Sequence, residues 1–112
     1  MKYLHSTNAG GLDYGYNSPG AFIGSCDTPA GTEVKVCTFD DDFELIKGDM
    51  IAIKFTYANT YGDGSTLYPK ISIGGHNYPL KLLVGAYAAS GAWADGQTVI
   101  MLFDGESMLK VI

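Results

Sequence analysis

The sequence contains no arginine and few charged residues of any kind. All seven basic residues are lysines, charged residues make up 17% of the 112 residues, and the net charge is −5. Soluble proteins usually carry about 25% charged residues. Without arginine the chain lacks the guanidinium fork that binds phosphates and guanine edges. We therefore expect no nucleic-acid partner.

Long apolar runs are also absent. The first eleven residues lack the apolar core of a signal peptide, and the stretch 82–94 is too short to span a bilayer and is interrupted by Gly85 and Gly91. The apolar fraction of 46% is nevertheless too high for a disordered chain. The composition predicts one soluble domain, made in a cytoplasm and not inserted into a membrane.

Motifs for catalysis and cofactor binding are missing too. Neither His5 nor His76 is framed by a nucleophile motif, and Ser65 and Ser90 lack the G-x-S-x-G elbow. The chain has no Cys/His metal-ligand spacing and no glycine-rich nucleotide motif. We expect a protein that is not an enzyme and that binds no cofactor or metal.

The densest acidic cluster consists of Asp40, Asp41, Asp42 and Glu44. A solvated turn is the favoured interpretation, because successive side chains of an extended loop point in different directions. Oxygen ligands for calcium are the alternative, although no EF-hand spacing supports it. A glycosidase using Asp40 and Glu44 ranks third among the hypotheses for function.

Only two cysteines are present. If the strands around the intervening Thr-Pro-Ala-Gly turn pair closely, Cys26 lies near Glu33 rather than opposite Cys37, and the two thiols are too far apart to bridge. Two buried free thiols are therefore the favoured interpretation, and whether the thiols ever pair stays open.

Apolar residues recur mostly at period two, which is typical of strands with one buried face. The clearest case is the segment 50–57, where Ile51, Ile53, Phe55 and Tyr57 share one face. This segment is expected to be a half-buried strand, with a core position for Tyr57 as one of the open alternatives.

Two hairpins follow from the turn residues. The runs 67–73 and 78–84 flank a Gly-Gly-His-Asn turn, and the runs 99–103 and 107–112 flank Asp104-Gly105. Upstream strands are predicted at 21–26 and 33–39 and a short one at 43–45, whereas the segment 84–95 holds at most one helical turn because of its glycines.

These seven or eight short strands have no crossover helices between them, which favours antiparallel pairing. The predicted fold is all-β: an antiparallel, jelly-roll-like β-sandwich or small barrel, spanning residues 20–112 as one domain. Residues 1–19, rich in Gly, Asn and Tyr, are predicted to form an extended arm. Leu12, Tyr14 and Tyr16 of this arm are predicted to dock to a partner.

Tyrosine is abundant, with eight copies, and several lie beside Gly, Asn or Asp in predicted loops. Such rings stack on sugars or fill interfaces. Tyr61, Asp63 and Trp93 are the candidate contacts for a ligand or receptor, on loops expected to face outward. As alternatives, Tyr57 and Tyr78 could lie in the core, and Trp93 could cover the end of the sandwich.

The low charge has a further consequence. A body with so few ionised side chains exposes neutral or apolar patches as a monomer, and subunit contacts would cover them. A closed homo-oligomer is the economical arrangement.

Four runs resemble a known family of modules: CDTPAGTEVKVCTF, FELIKGDMIAIKFTYANT, STLYPKISIGG and AWADGQTVIMLFDG. Residues 45–48, residues 53–60 and the Asp104-Gly105 turn carry most of the likeness. The sequence is similar over about residues 25–112 to a β-module of tail fibres, head fibres and baseplate appendages of tailed bacteriophages.

The resemblance implies a non-enzymatic structural protein of a virion, synthesised in the host cytoplasm. It implies a homotrimer bound to other virion proteins through the N-terminal arm, with contact to a cell-surface glycan as a further expectation. The alternative function is a carbohydrate-binding module, suggested by the loop aromatics.

Overall fold

The computed structural model describes residues 21–39 and 44–112, and within these ranges every regular element is a β-strand. The all-β prediction is therefore confirmed. The eight strands are β1 Ala21–Cys26, β2 Val34–Val36, β3 Thr38–Phe39, β4 Met50–Phe55, β5 Lys70–Ile73, β6 His76–Leu82, β7 Thr98–Phe103 and β8 Met108–Lys110.

The strands form one sheet that closes almost completely on itself. Their order is β2-β5-β6-β8-β7-β4-β1-β3, so the two edge strands, β2 and β3, are consecutive in the chain. Cys37 alone separates them, and its N–H donates to the carbonyl of Ser72 at 3.0 Å. The result is a small barrel in which Cys37 lies at the closing seam, an arrangement that leaves little free strand edge.

Strand pairing is mixed, so the expectation of purely antiparallel pairing is wrong. The pairs β1–β4, β2–β5 and β6–β8 are parallel, and the other four are antiparallel. Parallel neighbours need a long connection, but that connection need not be a helix. Here other strands supply it: β7, for example, lies between β6 and β8 in the chain.

Both predicted hairpins are confirmed. The β5–β6 hairpin turns at Gly74 and Gly75, whose φ angles of 60° and 87° lie in the left-handed region that a type I′ turn requires. β6 begins at His76, two residues earlier than predicted. In the β7–β8 hairpin, Asp104 Oδ1 accepts the N–H groups of Glu106 and Ser107 at 2.9 and 2.7 Å.

The predicted strand over residues 33–39 is divided. β2 pairs with β5, whereas β3 pairs with β1 in a register that places Ser25 opposite Thr38. One step further along this antiparallel register, Cys26 comes opposite Cys37. Both cysteines are buried and free, as predicted. The prediction that their thiols lie far apart is wrong, because β1 pairs with β3 and not with β2.

The inward faces of the strands form one apolar core. Ile51, Ile53 and Phe55 are at most 1% exposed, as the period-two pattern predicts. Tyr57 lies beyond the end of β4 and is 47% exposed, so its predicted core position is wrong. Tyr78 packs against the core, with its ring centroid 5.1 Å from that of Phe103.

Several predictions concern residues outside the described ranges. They are the N-terminal arm over residues 1–19 with Leu12, Tyr14 and Tyr16, and the acidic residues Asp40, Asp41 and Asp42. Of the predicted strand 43–45, Glu44 and Leu45 are described, and they lie in no strand.

Candidate functional site

The structure brings together the two loops that carry Tyr61, Asp63 and Trp93. These are the β4–β5 loop and the β6–β7 loop, which lie side by side at one end of the barrel. Gly91 N–H donates to the carbonyl of Asn59 at 2.8 Å, and Ala58 N–H donates to Asp95 Oδ1 at 2.6 Å. Backbone and carboxylate contacts therefore hold the two loops as one surface.

Asn59 is the buried polar side chain at the centre of this surface, with 0% exposure. Its Nδ2 donates to the carbonyls of Tyr61 and Ala89, both at 2.9 Å, and its Oδ1 accepts the N–H of Tyr61 at 3.1 Å. One amide group thus satisfies backbone atoms of both loops. Asn59 is not among the site residues that the sequence predicts.

Trp93 faces inward, so the expectation that it is presented to a ligand is wrong. The side chain is 3% exposed and its ring stacks on Phe55 with centroids 4.0 Å apart. Nε1 donates to the carbonyl of Tyr57 at 3.0 Å. The alternative interpretation, in which the indole covers one end of the barrel, describes its position.

Asp63 uses its carboxylate to hold its own loop. Oδ1 accepts the N–H groups of Ser65, Thr66 and Leu67 at 2.8, 3.0 and 3.0 Å. The hydrogen bonds from the Leu67 and Ser65 amides are the main reason why the pKa of Asp63 is lowered. This geometry is a turn cap, with the carboxylate already engaged.

Replacing Asp63 by alanine should therefore loosen this turn and leave the barrel intact. We expect the protection factors of the Ser65, Thr66 and Leu67 amides to fall in hydrogen-exchange NMR. Folding lowers the pKa of Asp63. In the wild type, the hydrogen bonds to the Asp63 carboxylate should therefore be fully present above the ordinary aspartate pKa. They should be lost as the pH falls through the lowered pKa of the folded state. Asp27→Ala, at another exposed aspartate, is the control, and equal protection in both variants would contradict the prediction.

Tyr61 belongs to a cluster that the sequence analysis did not foresee. Glu33 forms an ion pair with Lys70 and a hydrogen bond with Tyr61. Lys70 lowers the pKa of Glu33, and Glu33 in turn raises the pKa of Lys70. Lys70 Nζ also lies 4.2 Å from the ring centroid of Tyr68. These residues are partly exposed and form a mixed polar and aromatic surface.

Two further side chains extend this surface, which we call the tyrosine–lysine cluster: Tyr61, Glu33, Lys70, Tyr68, Tyr87 and Lys81. The rings of Tyr68 and Tyr87 stack with centroids 3.9 Å apart and an interplanar angle of 11°. Lys81 Nζ lies 5.2 Å from the centroid of Tyr87. The ring of Tyr87 covers one face of the Tyr68 ring, so the Lys70 ammonium lies over the opposite face. The cluster therefore offers hydroxyl groups and ring edges more than open ring faces.

Sheet topology explains why sequence reasoning missed this cluster. Glu33 meets Lys70 because β2 runs parallel to β5, so that Lys70 N–H donates to the carbonyl of Glu33 at 2.9 Å. Pairing between β2 and β5 is long-range and leaves no local pattern in the sequence. The stacked pair Tyr68 and Tyr87 was recognisable only as part of the tyrosine-rich composition.

The remaining candidates gain no chemistry from the structure. His76 is exposed at the start of β6, with its ring 6.4 Å from that of Tyr78. In the described part of the chain, no three His, Cys, Asp or Glu residues are grouped to hold a metal ion. Over the same residues, no helix is both long and apolar enough to cross a bilayer.

Comparison with known proteins adds no family. No protein-family model matches this sequence, and no similar protein was found among curated proteins or solved structures. The structure itself defines the class as an all-β barrel.

Proposed function

We propose that this chain is a non-enzymatic structural module of a tailed-phage virion that assembles with copies of itself. The observation that carries the proposal is an apolar surface on the outside of the barrel. β4 and β7 read MIAIKF and TVIMLF, so their outward faces carry Met50, Ala52, Ile100 and Leu102, with Lys54 and Thr98 at one end. Such strands are typical of sheets that are covered on both sides.

This outer apolar face consists of Ile23, Met50, Ile100, Leu102 and Ile112. The register aligns Ile23 of β1 with Ala52 of β4, and Ala52 with Ile100 of β7. Met50 aligns in the same way with Leu102, and Ile100 N–H donates to the carbonyl of Ile112 at 3.2 Å.

Three side chains of this face are open to solvent: Ile23 is 73% exposed, Ile112 65% and Met50 38%. Exposed apolar side chains in adjacent rows favour association, because burying them releases water from their surfaces. Three copies can bring such a face together around a three-fold axis, so that each copy covers apolar side chains of the next. The proposed occupant of this face is therefore another copy of the same chain.

The resemblance over residues 25–112 supports the trimeric and virion parts of the proposal. In fibres and appendages of tailed phages, such modules form trimers on a larger particle. Docking to other virion proteins through residues 1–19 and contact with the host surface belong to the same proposal. Mass spectrometry of particles purified from the source culture tests the virion assignment, which fails if the chain is absent from them.

Assembly is tested by replacing one exposed side chain of the outer apolar face. In light scattering coupled to size exclusion, the wild type should have three times the 11.9 kDa chain mass. Ile23→Lys should shift it to the monomer, because the charge would have to be buried unpaired. Val84→Lys is the matched control, since Val84 is 87% exposed in the β6–β7 loop.

A monomeric wild type across the concentration range would contradict the assembly proposal. A trimer that survives Ile23→Lys would place the interface elsewhere on the chain.

A carbohydrate-binding module is the second candidate, and the tyrosine–lysine cluster favours it. Tyr61, Glu33 and Lys70 place a hydroxyl, a carboxylate and an ammonium on one surface, and these groups hydrogen-bond sugar hydroxyls. A glycan array probed with the wild type and with Tyr61→Phe tests this candidate. Binding that is lost with the Tyr61 hydroxyl would support it, and an array without hits would remove it.

A further inference from the structure

The two cysteines lie opposite each other at the seam where the barrel closes. The carbonyl of Cys26 accepts the N–H of Thr56 at 2.9 Å, and the N–H of Cys37 donates to Ser72 at 3.0 Å. Since these backbone groups bond to other strands, Cys26 and Cys37 form a pair of the antiparallel ladder without mutual backbone hydrogen bonds.

Such pairs have Cα atoms about 4.5 Å apart, within the range of roughly 4.4–6.8 Å that a disulfide spans. Cys26 is 3% exposed and Cys37 is 5% exposed. Cys37 Sγ donates to the carbonyl of Lys35 at 3.5 Å and also interacts with the Cys26 thiol. The backbone thus already brings the two sulfurs together, without any rearrangement of the strands.

The surroundings make the two thiols unequal. The hydrogen bond from Cys37 is the main cause that lowers the pKa of Cys26 to about 6, and Thr28 and the charge of Lys35 act in the same direction. The same hydrogen bond, together with burial, raises the pKa of Cys37. Cys26 is therefore the more acidic thiol of the pair, and Cys37 holds its proton more tightly.

Lys35 is the buried cation beside this pair. Its side chain is 1% exposed, and Nζ donates to the carbonyls of Pro29 and Ala30 at 3.2 and 2.8 Å. These two bonds hold the ammonium in the turn between β1 and β2. Burial lowers the pKa of Lys35, and its charge makes the smallest of the contributions that lower the pKa of Cys26. A cation near a thiol favours the thiolate and is typical of reactive cysteines.

We propose that Cys26 and Cys37 are a thiol–disulfide exchange site whose oxidation locks the seam of the barrel. The co-reactant is a small-molecule disulfide. The Cys26 thiolate attacks one of its sulfurs, a mixed disulfide forms on Cys26, and the first small thiolate leaves. Cys37 then gives its proton to this released thiolate. The Cys37 thiolate attacks the Cys26 sulfur and expels the second small thiolate, which takes a proton from water.

The exchange transfers two electrons from the protein to the small disulfide, which leaves as two thiols. The new bond ties β1 to the junction of β2 and β3, where Cys37 alone connects the two sheet edges. Access to the buried pair requires local opening, and β3, with two residues at the sheet edge, offers the shortest ladder to open. The lock requires only the folded chain and is independent of the proposed assembly.

Incubating the native full-length protein with oxidised glutathione tests the proposal. Free thiols are then alkylated with iodoacetamide and peptides are mapped without reduction. We expect an intramolecular Cys26–Cys37 disulfide, no alkylation of either residue, and a higher melting temperature that reverts on reduction. Stable glutathione adducts on both cysteines, intermolecular dimers or thiols that react only after denaturation would each overturn the proposal.

Single variants separate the roles of the residues. Cys37→Ser should stop at one glutathione adduct on Cys26, because the resolving sulfur is missing. Lys35→Met, which keeps the buried aliphatic stem, should slow adduct formation on Cys26. An unchanged rate in Lys35→Met would contradict the role given to the ammonium, and the wild-type experiment stands even if a variant fails to fold.

Discussion

Trp93→Ala should lower the free energy of unfolding by about 3–5 kcal/mol, the usual cost of emptying the space of a buried tryptophan. The indole is 3% exposed and stacks on Phe55 at 4.0 Å between centroids, so alanine leaves a cavity against the core. The variant also leaves the Tyr57 carbonyl without its indole donor. Chemical denaturation followed by circular dichroism gives the difference directly.

Trp93→Phe is the matched control for this prediction. Phenylalanine keeps a ring to stack on Phe55 and loses only the Nε1 hydrogen bond and part of the packed area. The free energy of unfolding of Trp93→Phe should therefore be closer to that of the wild type than to that of Trp93→Ala. Equal stability of Trp93→Ala and wild type would show that the indole does not contribute to the core. Because Trp93 is structural, loss of ligand binding in Trp93→Ala would reflect loss of folding.

Sequence reasoning succeeded where local patterns determine structure. The alternation over β4 predicts that Ile51, Ile53 and Phe55 are buried, because a strand exposes successive side chains on opposite faces. The turns of the two hairpins are also local, since Gly74 and Gly75 tolerate the positive φ angles that a type I′ turn requires. Both features depend on residues within a few positions of one another.

Pairing between distant strands could not be predicted in the same way. A segment of strand propensity over residues 33–39 does not reveal that the chain changes partner at Cys37, from β5 to β1. The ion pair between Glu33 and Lys70 follows from the β2–β5 pairing, and the proximity of the thiols follows from the β1–β3 pairing. These are the features on which the seam and the tyrosine–lysine cluster depend.

The candidate site was also harder to predict than the fold. Trp93, Tyr61 and Asp63 lie in glycine-rich loops without periodicity, so the sequence does not indicate which side chains turn inward. In the structure, Trp93 joins the core, whereas Tyr61 contacts Glu33 at the surface. Asn59 joins the two loops through its amide group. It lies in the run 53–60 that carries the resemblance, but that run does not indicate a buried amide.

Asn59→Ala should lower the free energy of unfolding by roughly 2–4 kcal/mol, a large effect for a loop residue. The side chain makes three hydrogen bonds to the backbone at Tyr61 and Ala89, and it is completely buried. Alanine removes all three bonds and leaves the N–H and the carbonyl of Tyr61 without this partner, whereas the Ala89 carbonyl still accepts the N–H of Ala92 at 3.2 Å. Urea denaturation measures the loss, and the Tyr61 amide should lose its protection from hydrogen exchange.

Two variants make this prediction specific. Asn59→Asp has nearly the same shape but no amide donor, and at neutral pH it would bury a negative charge facing the carbonyls of Tyr61 and Ala89. It should therefore destabilise the protein at least as much as Asn59→Ala. Asn77→Ala changes an exposed asparagine in the β5–β6 hairpin and should shift stability by at most about 0.5 kcal/mol. If Asn59→Ala lowers the free energy of unfolding no more than Asn77→Ala does, the hydrogen bonds of Asn59 do not hold the two loops together.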